Sequence, residues 1–483
     1  MNDFGFDWIA VAPFLILSVL GFTVLLLGIL FPKMYRGTIG TIVLVGFAVA
    51  FVATLQGWDD ARLAFGGMIT ADKFSTAFSC IFILGATLTL GLSINQVEEK
   101  YLLYSDYFAL IVFATAGMTL MASGTNLLTL FLGLETLSIA LYVLAGFRRE
   151  NSFALEASFK YFLLGAFASG FLLYGIALIY GVTGTTDLAG IAEYVARAGM
   201  LSSKMFFAGF LLLLVGLGFK ISVFPFHLWA PDVYQGAPTP ISAFMATGSK
   251  AAGFAALMRF MIGLNAANQP GWQDLLWIIA VATMVLGNVI ALRQDNVKRM
   301  LAYSSIAHAG YILIGVLAGN TLGSSGTIFY LLTYTFMNIG AFGIISYIST
   351  AQHEFVTYRD FRGLASRRPF AAVAMATFMF SLAGIPPLAG FVAKFYLFSA
   401  GIKAGYIWLV VIAVITSMIS LYYYLGLVVQ MFMREQEDDA AATAPLQPAV
   451  IIALSVAILA IFILGIFPSK WVGLFQDLAR SLM

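Results

Sequence analysis

Apolar runs of about twenty residues, separated by short polar connections, follow one another along the whole chain. A helix of about twenty residues is long enough to cross a hydrocarbon core of roughly 30 Å. Within each run the apolar positions are continuous and do not alternate. The runs therefore predict membrane helices and not barrel strands. Fourteen spans are expected, over residues 8–30, 37–55, 73–95, 105–122, 126–147, 155–181, 204–226, 240–263, 274–293, 299–318, 326–349, 370–403, 405–433 and 447–467. The expected fold is an all-α polytopic membrane protein.

Composition agrees. Of the 483 residues 61% are hydrophobic and only 10% charged, where soluble chains carry about 25% charged residues. Mean hydropathy is +0.95. The net charge of +2 gives no reason to expect nucleic acid. A lone cysteine, Cys80, excludes an intrachain disulfide, an Fe–S cluster and a thiolate metal site, and reads as a small hydrophobe within a helix. His227, His308 and His353 lack metal-ligand spacing, and the chain has no P-loop, GxGxxG or CxxCH motif. No metal, nucleotide or redox cofactor is expected on this chain. The start, MNDFGFDW, carries no Lys or Arg before the first apolar run, so a retained first span is expected and not a cleaved signal.

Basic residues set orientation. With the N-terminus outside, thirteen of the 25 Lys and Arg fall in inner connections, Lys33 and Lys100 among them, and eight fall outside. Both termini are thus expected on the outer side. The acidic run Glu435, Glu437, Asp438 and Asp439 reads as a solvated inner loop.

The remaining charges sit inside the spans: Lys160, Lys220, Lys250, Lys394 and Glu135. A lysine or an acid at a helix centre costs about 2.5–3.5 kcal/mol, so five unpaired groups would cost on the order of 12–17 kcal/mol. Intramembrane ionisable residues mark ion or proton pathways, and a series of them is expected to form one here. Glu156 precedes Lys160 by four residues on the same helical face. A locally satisfied pair and a role in the path stand as equal readings of these two.

Two spans are interrupted by proline. One reads GLGFKISVFPFHLWAPD, with Pro225 after Lys220; the other reads SLAGIPPLAGFVAKF, with Pro386 and Pro387 before Lys394. An interior proline removes a helix hydrogen bond, and in lipid the freed carbonyls must find protein or water. The broken spans are the seventh and twelfth. An odd separation of five implies opposite crossing directions, as in inverted repeats. The chain therefore divides into an N-terminal three-helix segment (1–104), a first repeat (105–263, spans 4–8), an inverted second repeat (274–433, spans 9–13) and a last loop, span and tail (434–483). Under this shift Glu135 in span 5 matches His308 in span 10, both near the bilayer midplane.

The stretches LGLETLSIALYVLAGF (132–147), PFHLWAPDVYQGAPTP (225–240), SSIAHAGY (304–311) and SLAGIPPLAGFVAKF (381–395) resemble the antiporter-like subunits of respiratory complex I. The likeness spans most of the chain and is nearest to the N-type branch of bacterial proton-pumping NADH:quinone oxidoreductases. The L-type branch carries a long lateral helix that this chain would lack, and the M-type branch has a glutamate where Lys394 stands.

The resemblance implies a proton-translocating subunit in a bacterial inner membrane. It implies other membrane and peripheral subunits as partners, which would carry NADH, FMN, Fe–S clusters and quinone. It further implies an ion pair of Glu135 with Lys220, a central relay at Lys250, His308 as a bridge, and an outer relay at Lys394. His227 has two readings, proton entry and the capping of freed backbone. A carboxylate beside a buried amine keeps the proton on it, so separating such a pair favours release. Rival readings are a subunit of a multisubunit cation/proton antiporter, a structural membrane subunit and a small-solute transporter. One glutamate for four lysines speaks against the structural reading.

Overall fold

The computed structural model describes residues 7–31, 36–58, 61–93, 104–199, 203–264, 272–349, 354–435 and 448–480. Lys33, Lys100, His353 and Glu437, Asp438 and Asp439 lie outside them.

The chain opens with α1 (Trp8–Leu30) and α2 (Arg36–Leu55), then a small antiparallel hairpin, β1 (Arg62–Ala64) and β2 (Ile69–Ala71), with Arg62 opposite Ala71. There follow α3 (Lys73–Ser93), α4 (Tyr104–Ser123), α5 (Leu127–Ala145), the long α6 (Ser152–Thr183) and the short amphipathic α7 (Leu188–Ala198). The interrupted span comprises α8 (Lys204–Ile221) and a short helix, α9 (Trp229–Gly236). Next come α10 (Thr239–Phe244), one π-helical turn (Met245–Ser249) and α11 (Lys250–Gly263), running on without a break. The second half holds α12 (Gln273–Ala291), α13 (Val297–Ala318), α14 (Thr321–Ile348) and α15 (Leu364–Arg367), then the second interrupted span as α16 (Pro369–Ala383) and α17 (Ala389–Lys403). It closes with α18 (Ile407–Met433), α19 (Pro448–Ile466) and α20 (Pro468–Arg480).

Among the described residues twelve helices are long and apolar enough to cross a membrane. The others of similar character are the α10–α11 run, divided by its π turn, and the broken α16–α17 pair. The amphipathic α20, which buries Val472, Phe475 and Leu478, occupies much of what the sequence reads as a short tail.

Helix starts follow the polar punctuation of the sequence. Asp7, Asn126, Asn151, Asp187, Ser203, Asn296 and Asn320 each accept a first-turn backbone N–H of the helix they precede. Small residues let helices approach closely: a Cβ on Gly175 of α6 would lie 2.6 Å from the Gly209 carbonyl oxygen of α8. Nearly all of α13 and α14 is buried, so these two form the centre. By contrast α1, α6, α18 and α19 expose large apolar side chains around the periphery.

Both interrupted helices end alike. At the end of α8, Ser222 takes a left-handed conformation and Val223 N–H donates to the Gly218 carbonyl. At the end of α16, Gly384 is left-handed and Ile385 N–H donates to the Phe380 carbonyl. This six-to-one bond is the Schellman cap. It closes the helix before the proline arrives, so Pro225 and Pro386 prevent resumption and do not themselves break a continuous helix.

Candidate functional site

Glu135 sits at the middle of α5 and is half-buried; Lys220, at the last turn of α8, is fully buried. The two are not in contact. Lys220 Nζ donates to Ser138 Oγ at 2.9 Å and to Tyr161 Oη at 3.4 Å, and lies 5.7 Å from the Tyr161 ring centroid. The Ser169 hydroxyl of α6 donates to Glu135 Oε1. The expected pair is therefore separated in this structure, each member held by a hydroxyl.

Lys250 follows the π turn directly and is buried. Its Nζ donates to the Ser305 carbonyl at 2.6 Å and to Ser305 Oγ at 2.5 Å, across to α13. One residue earlier, Ser304 Oγ shares a hydrogen bond with Tyr424 Oη of α18. Tyr424 Oη in turn lies 3.1 Å from His308 Nε2, while His308 Nδ1 lies 2.5 Å from Tyr330 Oη of α14. His308 is thus held by two tyrosines, one of them bonded to the residue next to Lys250's partner Ser305, and touches neither lysine directly. Its ring also packs edge-on to Tyr311, with centroids 5.6 Å apart.

Lys394 reaches back over the break that precedes its own helix. Nζ donates to the carbonyls of Leu382 and Ala383 at 2.9 and 3.0 Å, and to Ser417 Oγ at 2.8 Å. The first two are the last carbonyls of α16, so the lysine satisfies backbone groups that the break sets free. The ammonium also lies 5.4 Å from the Tyr311 ring centroid, which brings it beside the His308 cluster. In the other interrupted span Trp229 Nε1 performs that capping, donating to the Phe219 carbonyl at 2.9 Å.

Lys160 belongs to a different set. It contacts Glu156 Oε1 at 2.7 Å, as the spacing predicts, and also Asp232 Oδ2 at 2.6 Å. Asp232 accepts Arg299 Nη1 at 2.5 Å as well. A second acid-centred group lies on the same side: Glu354 meets Lys298 at 3.2 Å, Arg148 at 3.8 Å and the Thr239 hydroxyl at 2.5 Å. Burial pushes the Glu354 carboxyl up, but Lys298 and Arg148 outweigh it and hold the group below its ordinary value. Arg259 forms a two-pronged pair with Asp72 at 2.9 and 3.0 Å on the opposite side. His227 is buried beside Phe224, and its Nδ1 has no hydrogen-bond partner, so it caps no backbone through that atom. Among the described residues no three His, Cys, Asp or Glu come together to hold a metal ion.

The structure brings His308 beside Lys394 by way of the Tyr311 ring, sets Lys250 on Ser305, the neighbour of the Tyr424-bonded Ser304, and places Glu135 and Lys220 near a second hydroxyl set. Sequence reasoning missed Ser138, Tyr161, Ser169, Ser305, Tyr330, Ser417 and Tyr424. A signal was present: hydroxyl side chains recur in otherwise apolar spans, as in LYYYLG (421–426). It also missed Asp232, although that residue lies in the quoted PFHLWAPD stretch, and Glu354.

Residues 124–420, which run from the start of α5 into α18, match the model of the NADH:quinone oxidoreductase/Mrp antiporter transmembrane family. The chain belongs to this family. The NADH-quinone oxidoreductase subunit N of Trichlorobacter lovleyi is 49% identical over 462 residues, covering 95% of this chain and 94% of the relative. A chain of respiratory complex I from Thermus thermophilus, solved with bound aureothin, is 38% identical with a TM-score of 0.82 and covers 95% and 98% of the two chains. A chain of the Mrp complex from Dietzia sp. has a TM-score of 0.85 at 22% identity, covering 98% and 97%, a likeness of fold alone. The two halves of this family's name thus share one architecture, and the sequence identities favour the oxidoreductase half.

Proposed function

We propose that this chain is a proton-translocating membrane subunit of a bacterial NADH:quinone oxidoreductase. In this reading the redox chemistry lies in partner subunits that hold FMN, Fe–S clusters and quinone and oxidise NADH. Glu135, Lys220, Lys250, His308 and Lys394 carry the proton across the middle of the membrane. Lys160 and Glu156 belong to an accessory cluster with Asp232 and Arg299, and His227 is an accessory group near the inner mouth.

One contrast carries the reading. Lys160, Arg259 and Lys298 each have a carboxylate partner. Among the described residues Lys220, Lys250 and Lys394 hydrogen-bond only to hydroxyls and carbonyls, with no carboxylate in contact. A buried cation kept for structure alone is stabilised by a fixed counterion, because desolvation is otherwise uncompensated. Neutral acceptors suit a group whose charge comes and goes.

Fourteen crossings, with both termini outside, fit the way the connections meet. Arg148, Lys298 and Glu354 all come from connections assigned to the inner side, as do Asp232 and Arg299. Asp72 pairs with Arg259, and Asp7 with Arg62, all assigned outside. The matching caps of α8 and α16 support two inverted repeats over 105–263 and 274–433, flanked by 1–104 and 434–483. The half-buried Glu135, on an α5 face that also exposes Leu132 and Ile139, calls for a neighbouring membrane subunit to cover it.

The partner set is tested by purifying the tagged chain from its native membrane in mild detergent. Peripheral flavin and Fe–S subunits are expected to accompany it. Recovery with small antiporter partners alone would overturn the assignment.

A further inference from the structure

We propose that Ser138 and Ser169 are positioning residues that hold Lys220 and Glu135 apart, each hydroxyl serving as the alternative partner of one member of the pair. This rests on the reading of Glu135 and Lys220 given above and adds to it the groups that stabilise the separated arrangement.

Hydrogen-bond direction makes the case. A serine hydroxyl has one proton to give. Ser138 gives it to the Leu134 carbonyl at 2.6 Å, which leaves its oxygen free to accept from Lys220 Nζ at 2.9 Å. Ser169 gives its proton to Glu135 Oε1. One serine is thus committed as acceptor to the amine, and the other as donor to the carboxylate. Each choice suits the ionised form of its partner.

Geometry adds the means of exchange. Ser138 lies three residues after Glu135 on α5, and side chains three apart share a helix face, about 5–6 Å from one another. The Lys220 ammonium, on its flexible stem, passes from one acceptor to the other by rotamer change with both helices fixed. Tyr161 Oη, at 3.4 Å, marks the side toward which the lysine then faces. Ser169 comes from α6, so the carboxylate is drawn toward a different element from the one that bears the lysine. Without the two hydroxyls, separating the pair would strand an amine and a carboxylate together. With them, each keeps one charge-assisted bond.

Removing either hydroxyl shifts the balance toward the closed pair by about tenfold or more, the factor expected for loss of one hydrogen bond to a charged group. The experiment measures proton pumping per NADH oxidised by the assembled complex in native membrane vesicles. It compares Ser138→Ala, Ser169→Ala, their combination, Ser169→Thr, Lys220→Ala and Lys220→Ala combined with Ser138→Ala. The combined serine variant is expected to lose most of what Lys220→Ala loses, with normal complex content. Ser169→Thr, which keeps the hydroxyl, is expected to pump normally, and Ser138→Ala to add nothing once Lys220 is gone. Wild-type pumping in the combined serine variant, alongside a defective Lys220→Ala, would overturn this inference alone. So would a Ser169→Thr variant as defective as Ser169→Ala, which would make the serine a packing residue. Full pumping by Lys220→Ala would instead overturn the functional reading beneath it.

Discussion

At the scale of single residues the molecule treats its buried cations in two ways. Lys298 is paired with Glu354, whereas Lys250, equally buried, is given the carbonyl and hydroxyl of Ser305. The cost of burying charge is alike in both cases, and the proposed proton path accounts for the difference, since a relay's charge comes and goes while a fixed cation's does not. Glu135→Gln removes the charge that Lys220 answers to, and is expected to reduce proton pumping strongly while leaving complex content unchanged. Cys80→Ala is expected to be silent in the same assay, because Cys80 is a free thiol in α3 and takes part in none of the hydrogen bonds or ion pairs described above. The intramembrane charges were legible in the sequence because ionisable residues are so expensive in lipid. Their partners were not. A serine or tyrosine costs little in a membrane helix, so the hydroxyls that recur in apolar spans do not by themselves say which will meet an ionisable group, as Ser138 meets Lys220 and Tyr424 meets His308.

At the scale of elements, the surroundings of Lys220 and Lys394 are set by where helices stop. Gly390 opens α17 against the end of α16: its N–H donates to Ser381 Oγ at 3.1 Å, and a Cβ there would lie 1.8 Å from the Ser381 carbonyl oxygen. Backbone cannot yield as a side chain does, so Gly390→Ala is expected to cost about 1–3 kcal/mol or more by overpacking. It should lower the thermal unfolding midpoint of the purified complex and displace Lys394 from the carbonyls it caps. Gly170→Ala is the control, since a Cβ there meets nothing within 4 Å, and the midpoint should hold or rise slightly. Both interruptions were visible as Pro225 and Pro386–Pro387. The π turn before Lys250 was not, because MATGS contains no residue that a regular helix excludes. Such turns occur often at functional sites, and here one immediately precedes Lys250.

At the scale of the whole molecule, the two halves are tied at one end by Glu354, which gathers Arg148 and Thr239 from the first half with Lys298 from the second. Glu354→Gln leaves the buried Lys298 without its counterion and is expected to destabilise the protein by about 3–5 kcal/mol. Because the folded carboxyl lies below its unfolded value of about 4.3, its contribution is full above that pH and is lost as pH falls through the folded value. The gap in unfolding midpoint between wild type and variant should therefore be widest near neutral pH and close on strong acidification. A gap independent of pH would contradict this. The apolar pattern made the helical architecture legible, since lipid leaves the backbone few alternatives. Glu354 escaped notice because an acid in a connection looks like any solvated loop residue until folding buries it among cations. Of the buried groups, Lys220 is the one on which the proposed proton path most directly depends. The direct test reconstitutes the complex bearing Lys220→Ala into liposomes and follows proton pumping and NADH:quinone electron transfer in one preparation. Abolished or sharply reduced pumping is predicted; full pumping with coupled electron transfer intact would contradict it.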